Sequence, residues 1–177
     1  MIVAILDGER FPAFYRVIVP AYATTPCSGM GAARQGGRFN RPRQEALYLS
    51  VDEATALAEY QQDNPWLQPG MICTFFAKAL RVADLSAGYD STHWADLWAD
   101  FAVDWRTERF GNGIEPPTWY MADDVVAAGL DGILFPSQAY PGGINLVIYR
   151  SSQLTSAQLC VYDPASRLQD ITPNIRT

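Results

Sequence analysis

Hydrophobic positions in this chain follow two periods, and the switches between them mark out the elements. The run AFYRVIV, Ala13 to Val19, is rich in β-branched and aromatic residues and stops at Pro20, which predicts a strand. ALYLS, Ala46 to Ser50, predicts a second strand with a helix directly after it. Ser50 with Glu53 three positions on is a capping-box pattern, and Ala54, Leu57, Ala58 and Gln61 share one side of a helix reaching about Gln62. MICTFFAKALRVADL, Met71 to Leu85, reads as one long strand or two short ones. Between Thr92 and Phe110 the period lengthens: Trp94, Leu97, Trp98, Phe101, Ala102 and Trp105 recur on one helix face, predicting an amphipathic helix with core tryptophans. Asp96, Asp100 and Asp104 then fall on its solvated side. Pro116-Pro117 opens a further helix through TWYMADDVVAAG, closed by Gly129, and GILFPS, INLVIYRS and AQLCVYD read as closing strands. Strands and helices mix without regular βαβ alternation, so the expected class is α+β, with mixed or antiparallel sheets flanked by helices.

With 177 residues, 49% apolar and 12% aromatic, the chain can bury one sizeable core, and the expectation is a single domain over 1–177. No repeat, low-complexity tract or linker interrupts it. A membrane span would need a run of about 18 apolar residues, and none is present. The opening MIVAILDGERF lacks the basic lead of a secretory signal, so the expected setting is the cytoplasm, without membrane contact. Cys27, Cys73 and Cys160 are odd in number and widely spaced, which argues for buried reduced thiols rather than a disulfide framework or a zinc site.

A net charge of −6 and a pI near 4.6 disfavour direct nucleic-acid binding, which needs a broad basic face. The few positive charges are clustered. Lys78 is the sole lysine, and Arg34, Arg38, Arg41 and Arg43 crowd one segment. Guanidiniums bind phosphate oxygens in pairs, so a small phosphate-bearing anion is the expected ligand.

The segment GMGAARQGGRFN, Gly29 to Asn40, invites comparison with phosphate-binding loops. Gly29-Met30-Gly31-Ala32-Ala33-Arg34 has two glycines of a dinucleotide fingerprint, but arginine stands at the third and no buried strand precedes it, so a turn or lid is expected there. No lysine-bearing phosphate loop exists. His93, the sole histidine, sits at an expected helix start as a surface or capping residue, which removes histidine-cluster metal sites and leaves little room for a Ser-His-Asp triad. What remains is chemistry built from arginines and carboxylates, with no metal expected.

Several fragments occur in an order that resembles the RES-domain toxins of bacterial toxin–antitoxin pairs, a family named for an arginine, a glutamate and a serine. They are Tyr15-Arg16-Val17, Gly36-Gly37-Arg38-Phe39-Asn40, Leu47-Tyr48-Leu49-Ser50, Ala56-Leu57-Ala58-Glu59, Phe135-Pro136-Ser137 and Gly143-Ile144-Asn145-Leu146-Val147-Ile148. The resemblance covers most of the chain. It implies a compact fold like the diphtheria-toxin type of ADP-ribosyltransferase, with NAD⁺ as substrate. Members split the nicotinamide–ribose bond and pass ADP-ribose to water, to phosphate or to a protein acceptor, one described acceptor being phosphoribosyl pyrophosphate synthetase. The implied partner is an antitoxin with a helix-turn-helix DNA-binding part and a second part that blocks the cleft. One departure stands out: relatives usually have glycine after FNRP, where this chain has Arg43.

Carried onto this chain, the resemblance makes Glu59 the catalytic carboxylate, stabilising positive charge on the ribose or orienting the nucleophile. Arg16 and Arg38 bind the pyrophosphate or neighbouring ribose groups, with Gly36 and Gly37 bringing backbone close to the ligand. Tyr48 stacks on nicotinamide or bonds a ribose through its hydroxyl, Ser137 positions Glu59 or the nicotinamide ribose, and Asn145 completes the NAD⁺ site. The competing readings are an NAD⁺ glycohydrolase or phosphorylase, a non-catalytic interaction module, and a scaffold that docks another protein through exposed Trp66, Trp119 and Tyr120.

Overall fold

The structure, a computed structural model, describes residues 1–168 apart from 63, 65 and 167. The end of the expected domain, 169–177, lies outside the described residues. Strands β1 (Val3–Leu6), β2 (Phe14–Ile18), β3 (Ala46–Ser50), β4 (Met71–Ala77), β5 (Leu80–Asp84), β6 (Gly132–Pro136), β7 (Ile144–Tyr149) and β8 (Leu159–Val161) form one eight-stranded sheet. Its order is β1-β5-β6-β7-β3-β2-β4-β8, and the β5–β6 pair alone is parallel. Helices α1 (Met30–Gln35), α2 (Glu53–Gln61) and α3 (Pro117–Ala127) flank it, so the α+β expectation holds.

Alternation along the central strands produces two cores. On β3 and β7, Leu47, Leu49, Leu146 and Ile148 face a layer that includes Phe14 and Phe75, while Ala46, Val147 and Tyr149 face α3, Trp94 and Trp98. Both faces of these strands are therefore packed over most of their length, and each fully buried Leu or Ile contributes about 1.5–3 kcal/mol.

Several elements differ from expectation. Met71 to Leu85 is two strands that do not pair with each other: β4 lies against β2 and β8, β5 against β1 and β6. β1, not expected from the sequence, buries only Leu6 and is held as a strand by pairing with β5, far along the chain. The segment from Gly29 is not a turn but enters the short helix α1. α2 is capped by Asp52, whose carboxylate accepts from the Thr55 N–H at 2.8 Å, and Ser50 is instead buried in the sheet.

The long helix expected over Thr92 to Phe110 does not form. A 3₁₀ turn at Asp96–Asp100 and a π-helical turn at Thr107–Asn112 stand in its place. Aspartates at turn positions compete for backbone donors: Asp90 accepts from the Thr92 N–H at 2.9 Å and Asp104 from the Arg106 N–H at 3.1 Å. Trp94, Trp98 and Trp105 are nonetheless buried and Asp96, Asp100 and Asp104 exposed, while Leu97 and Phe101 are half-buried and Ala102 is exposed, so the pattern located the core tryptophans but not a continuous helix face.

Candidate active site

The two halves of the sheet nearly separate at β2 and β3, which share the single register pair Tyr15↔Ser50. A cavity of about 400 Å³ opens along this seam. Tyr15, Arg16 and Val17 on one side and Tyr48, Leu49 and Ser50 on the other all line it. Three consecutive residues of a strand point alternately to its two faces, so such triplets border a cavity only where it lies along the strand edges. A volume of this size lies within the range of small-molecule sites, about 300–1,000 Å³.

α2 carries Glu59 to the cavity wall, with Ala56 one turn earlier on the same side. Thr55 on the adjoining face is buried against Gly143, where an added Cβ would overlap the threonine side chain. That close approach seats α2 over the start of β7 and brings Glu59 to Asn145. Glu59 Oε1 accepts from Asn145 Nδ2 at 2.6 Å and from Ser137 Oγ at 2.7 Å. Asn145 Oδ1 accepts from Ser50 Oγ at 2.8 Å, and Ser137 Oγ accepts from the N–H groups of Ala139 and Tyr140 at 3.1 and 3.0 Å. One carboxylate oxygen is thus fixed by two donors that are themselves fixed, and Oε2 carries no hydrogen bond among the described residues. Ser137 touches Glu59 without lining the cavity.

The loop Gly36–Asn40 shapes the opposite wall. Asn40, fully buried, donates to the carbonyls of Ala32, Arg41 and Gln44 at 3.0–3.1 Å and accepts from the Tyr48 hydroxyl at 2.8 Å. The Tyr48 hydroxyl also accepts from the Phe39 N–H at 2.9 Å, so it is committed to the loop and only the ring is offered to the cavity. Burial pushes its ionisation well above the usual tyrosine range. A Cβ at Gly37 would lie 2.6 Å from Asn40 Oδ1 and 2.7 Å from the Tyr48 oxygen, which is why the loop needs glycine there. Trp119 Nε1 donates to the Gly37 carbonyl at 2.8 Å. Trp119 is therefore a buried loop support rather than an exposed docking residue, while Trp66 and Tyr120 are exposed as expected.

Arg16 and Arg38 both reach the cavity. Arg16 Nη1 donates to the carbonyls of Pro26 and Ser28 at 3.4 and 3.1 Å; Arg38 Nη1 donates to those of Phe101 and Val103 at 3.2 and 2.7 Å. The interrupted helix supplies the second pair, and the Val103 carbonyl also accepts from the Trp105 N–H at 2.8 Å. Neither arginine has a carboxylate ion pair among the described residues. Burial lowers the proton affinity of both, and at Arg38 the Glu59 charge is the largest opposing influence. Both stay charged, so donors remain for an anion.

Other arginines of the cluster serve differently. Arg41 pairs with Glu115 and Asp123 at 2.9 and 2.6 Å, tying the loop to α3, and neither Arg34 nor Arg43 lines the cavity. The dense cluster is therefore not one anion site. Arg43 holds a φ of 73° and its N–H donates to the Ala33 carbonyl at 2.6 Å, so the turn is made in a conformation that favours glycine. Sequence reading missed Arg106, Gln62, Trp105 and Phe110, which also line the cavity. No local signal distinguishes them: Gln62 follows the last residue of α2, and Trp105, Arg106 and Phe110 border the cavity because the helix expected over Thr92 to Phe110 is interrupted.

The RES domain model matches residues 13–169. The chain belongs to the RES-domain family. Among solved structures, this RES domain is similar to a chain in the crystal structure of the M. tuberculosis MbcT–MbcA toxin–antitoxin complex. The TM-score is 0.61 and the identity 20%, covering 85% of this chain and 81% of that one. This likeness shows the shared fold. No curated protein matches the chain.

Proposed function

We propose that this RES domain is the toxin of a bacterial type II toxin–antitoxin pair. In this reading it binds NAD⁺ in the seam cavity, splits the nicotinamide–ribose bond and transfers ADP-ribose to a protein acceptor. The observation that carries the enzymatic reading is Glu59, held by Ser137 and Asn145 on the wall of a cavity it shares with Arg16 and Arg38. Family membership supports NAD⁺ as the substrate, and the toxin–antitoxin complex of the structural neighbour supports the biological setting.

Bond cleavage leaves the electron pair on the nicotinamide nitrogen and builds positive charge on the ribose. The Glu59 carboxylate, fixed through Oε1, presents Oε2 to that charge or to the proton of the incoming nucleophile. Arg16 and Arg38 hold the pyrophosphate by charge-assisted donors, and the Tyr48 ring borders the same space. Preorganisation is the main contribution: a carboxylate already fixed by two donors need not be reordered as charge develops. The intact Arg38, Glu59 and Ser137 set argues against a non-catalytic interaction module. The expected antitoxin, with a helix-turn-helix part, covers the cavity mouth.

The test is release of free nicotinamide from NAD⁺ by the purified protein, with Glu59→Ala alongside. Equal release by both proteins, or none by the parent, refutes the assignment. Mass spectrometry of a lysate given labelled NAD⁺ then identifies the acceptor, with phosphoribosyl pyrophosphate synthetase a candidate. Label in free ADP-ribose or its phosphate ester would instead identify the hydrolase or phosphorylase form.

A further inference from the structure

Arg106 stands apart from the other exposed arginines. It lines the seam cavity, its Nη2 donates to Gln62 Oε1 at 2.8 Å, and its guanidinium lies over the Trp105 ring with 4.7 Å to the centroid. It is thus oriented by a neutral amide and an aromatic face, neither of which cancels its charge. It forms no ion pair among the described residues, unlike Arg41, which has two carboxylate partners. The nearby Asp104 carboxylate is occupied elsewhere, accepting from Thr107 Oγ1 at 2.6 Å and from the N–H groups of Arg106 and Thr107 at 3.1 and 3.3 Å. Arg106 also acts on Arg38 and Tyr48 through its charge, which places it within electrostatic reach of both.

Among the described lining residues, Arg16, Arg38 and Arg106 face one carboxylate, Glu59. The cavity is therefore formally positive by two charges inside a chain of net charge −6. Like charges gathered around one space repel, and an anionic ligand with more than one charge relieves that repulsion.

We propose that Arg106 is a third phosphate-binding residue of the site, exchanging its bond to Gln62 for a phosphate oxygen of the dinucleotide. This rests on the NAD⁺ reading above and assigns a residue to it. Gln62 caps the end of α2, the helix carrying Glu59, so the Arg106–Gln62 bond also ties that helix to the segment before the π-helical turn.

The test uses full-length protein in a Glu59→Gln background, which suppresses turnover, with calorimetric titration of NAD⁺ and of nicotinamide riboside, which lacks phosphate. Arg106→Gln is expected to weaken NAD⁺ binding about 10- to 100-fold, the range of a lost charged hydrogen-bond set, and to leave nicotinamide riboside unchanged. Arg106→Lys keeps the charge without the planar fork and is expected to recover part of the loss. Arg109→Gln, altering an arginine that lies over Trp119, serves as the control expected to bind like the parent. If Arg106→Gln binds NAD⁺ within twofold of the parent, or loses both ligands equally, the assignment of Arg106 fails while the NAD⁺ reading stands. A parent that binds no NAD⁺ overturns that reading and this inference with it.

Discussion

Asn145 donates from Nδ2 to Glu59 Oε1 at 2.6 Å, joining a strand in the middle of the sheet to the last turn of a helix 86 positions earlier in the chain. This bond and its partner from Ser137 orient the carboxylate, so their loss should act on turnover more than on binding. Asn145→Ala is expected to lower kcat about 10- to 100-fold with KM nearly unchanged. It also leaves Ser50 Oγ buried without its acceptor, at about 1–3 kcal/mol of stability. Steady-state kinetics of nicotinamide release and a denaturant titration read the two effects separately.

Arg38 should show the opposite division. Arg38→Ala is expected to weaken NAD⁺ binding by about 1.5–3 kcal/mol, a roughly 10- to 100-fold rise in Kd. Titration calorimetry in the Glu59→Gln background measures it, and an unchanged Kd would remove Arg38 from the site.

Gly143 sets the distance between α2 and β7. Gly143→Ala places a methyl group where Thr55 now packs, so α2 must shift and carry Glu59 away from Asn145. The expected outcome is a loss of about 1–3 kcal/mol in stability together with loss of most activity. Thr55→Ala in the same chain removes Oγ1 and Cγ2, the two atoms nearest that methyl, and should restore part of both, a coupling that a double-mutant cycle detects.

Arg43 makes the opposite prediction for stability. A non-glycine residue at a φ of 73° is strained, and its N–H bond to Ala33 does not depend on its side chain. Arg43→Gly should raise stability by about 0.5–1 kcal/mol, the relieved strain less the added freedom of the unfolded chain, without changing NAD⁺ consumption. Thermal unfolding and the nicotinamide assay check the two halves.

Cys27 ties stability to alkaline pH. Burial pushes its thiol from 9.0 up to about 11 in the folded chain. Between these values the folded state holds a proton that the unfolded state has lost. Stability is therefore intact below about pH 9 and falls as pH rises towards 11, by about 1–2 kcal/mol once partial exposure is discounted. Cys27→Ala should flatten that slope in urea titrations across this window. At pH 8 the native thiol should also react slowly with iodoacetamide, a thiolate reagent.

Legibility followed the range of the forces involved. α3 could be read from Pro117 at its start and Gly129 beyond its end, because caps act within a few residues. β3 and β7 could be read from apolar runs that only a buried strand satisfies. The helix expected over Thr92 to Phe110 could not, because its period reported which side chains are buried and not which backbone donors the aspartates would take. Trp119 shows the same limit: its helix was legible, but its burial under the Gly37 carbonyl depends on a loop 82 positions away.

Sequence alone determined the α+β class, the family and the presence of a glutamate, arginines and a serine in a recurring order, since these rest on local propensity and on motifs a chain carries with it. Tertiary structure decided that β2 and β3 part after one register pair, that Arg16, Arg38, Arg106 and Glu59 border the resulting cavity, and that Arg41 is neutralised elsewhere. The reason is physical. Strand separation and charge pairing depend on distances between residues remote in the chain, and no local pattern records those distances.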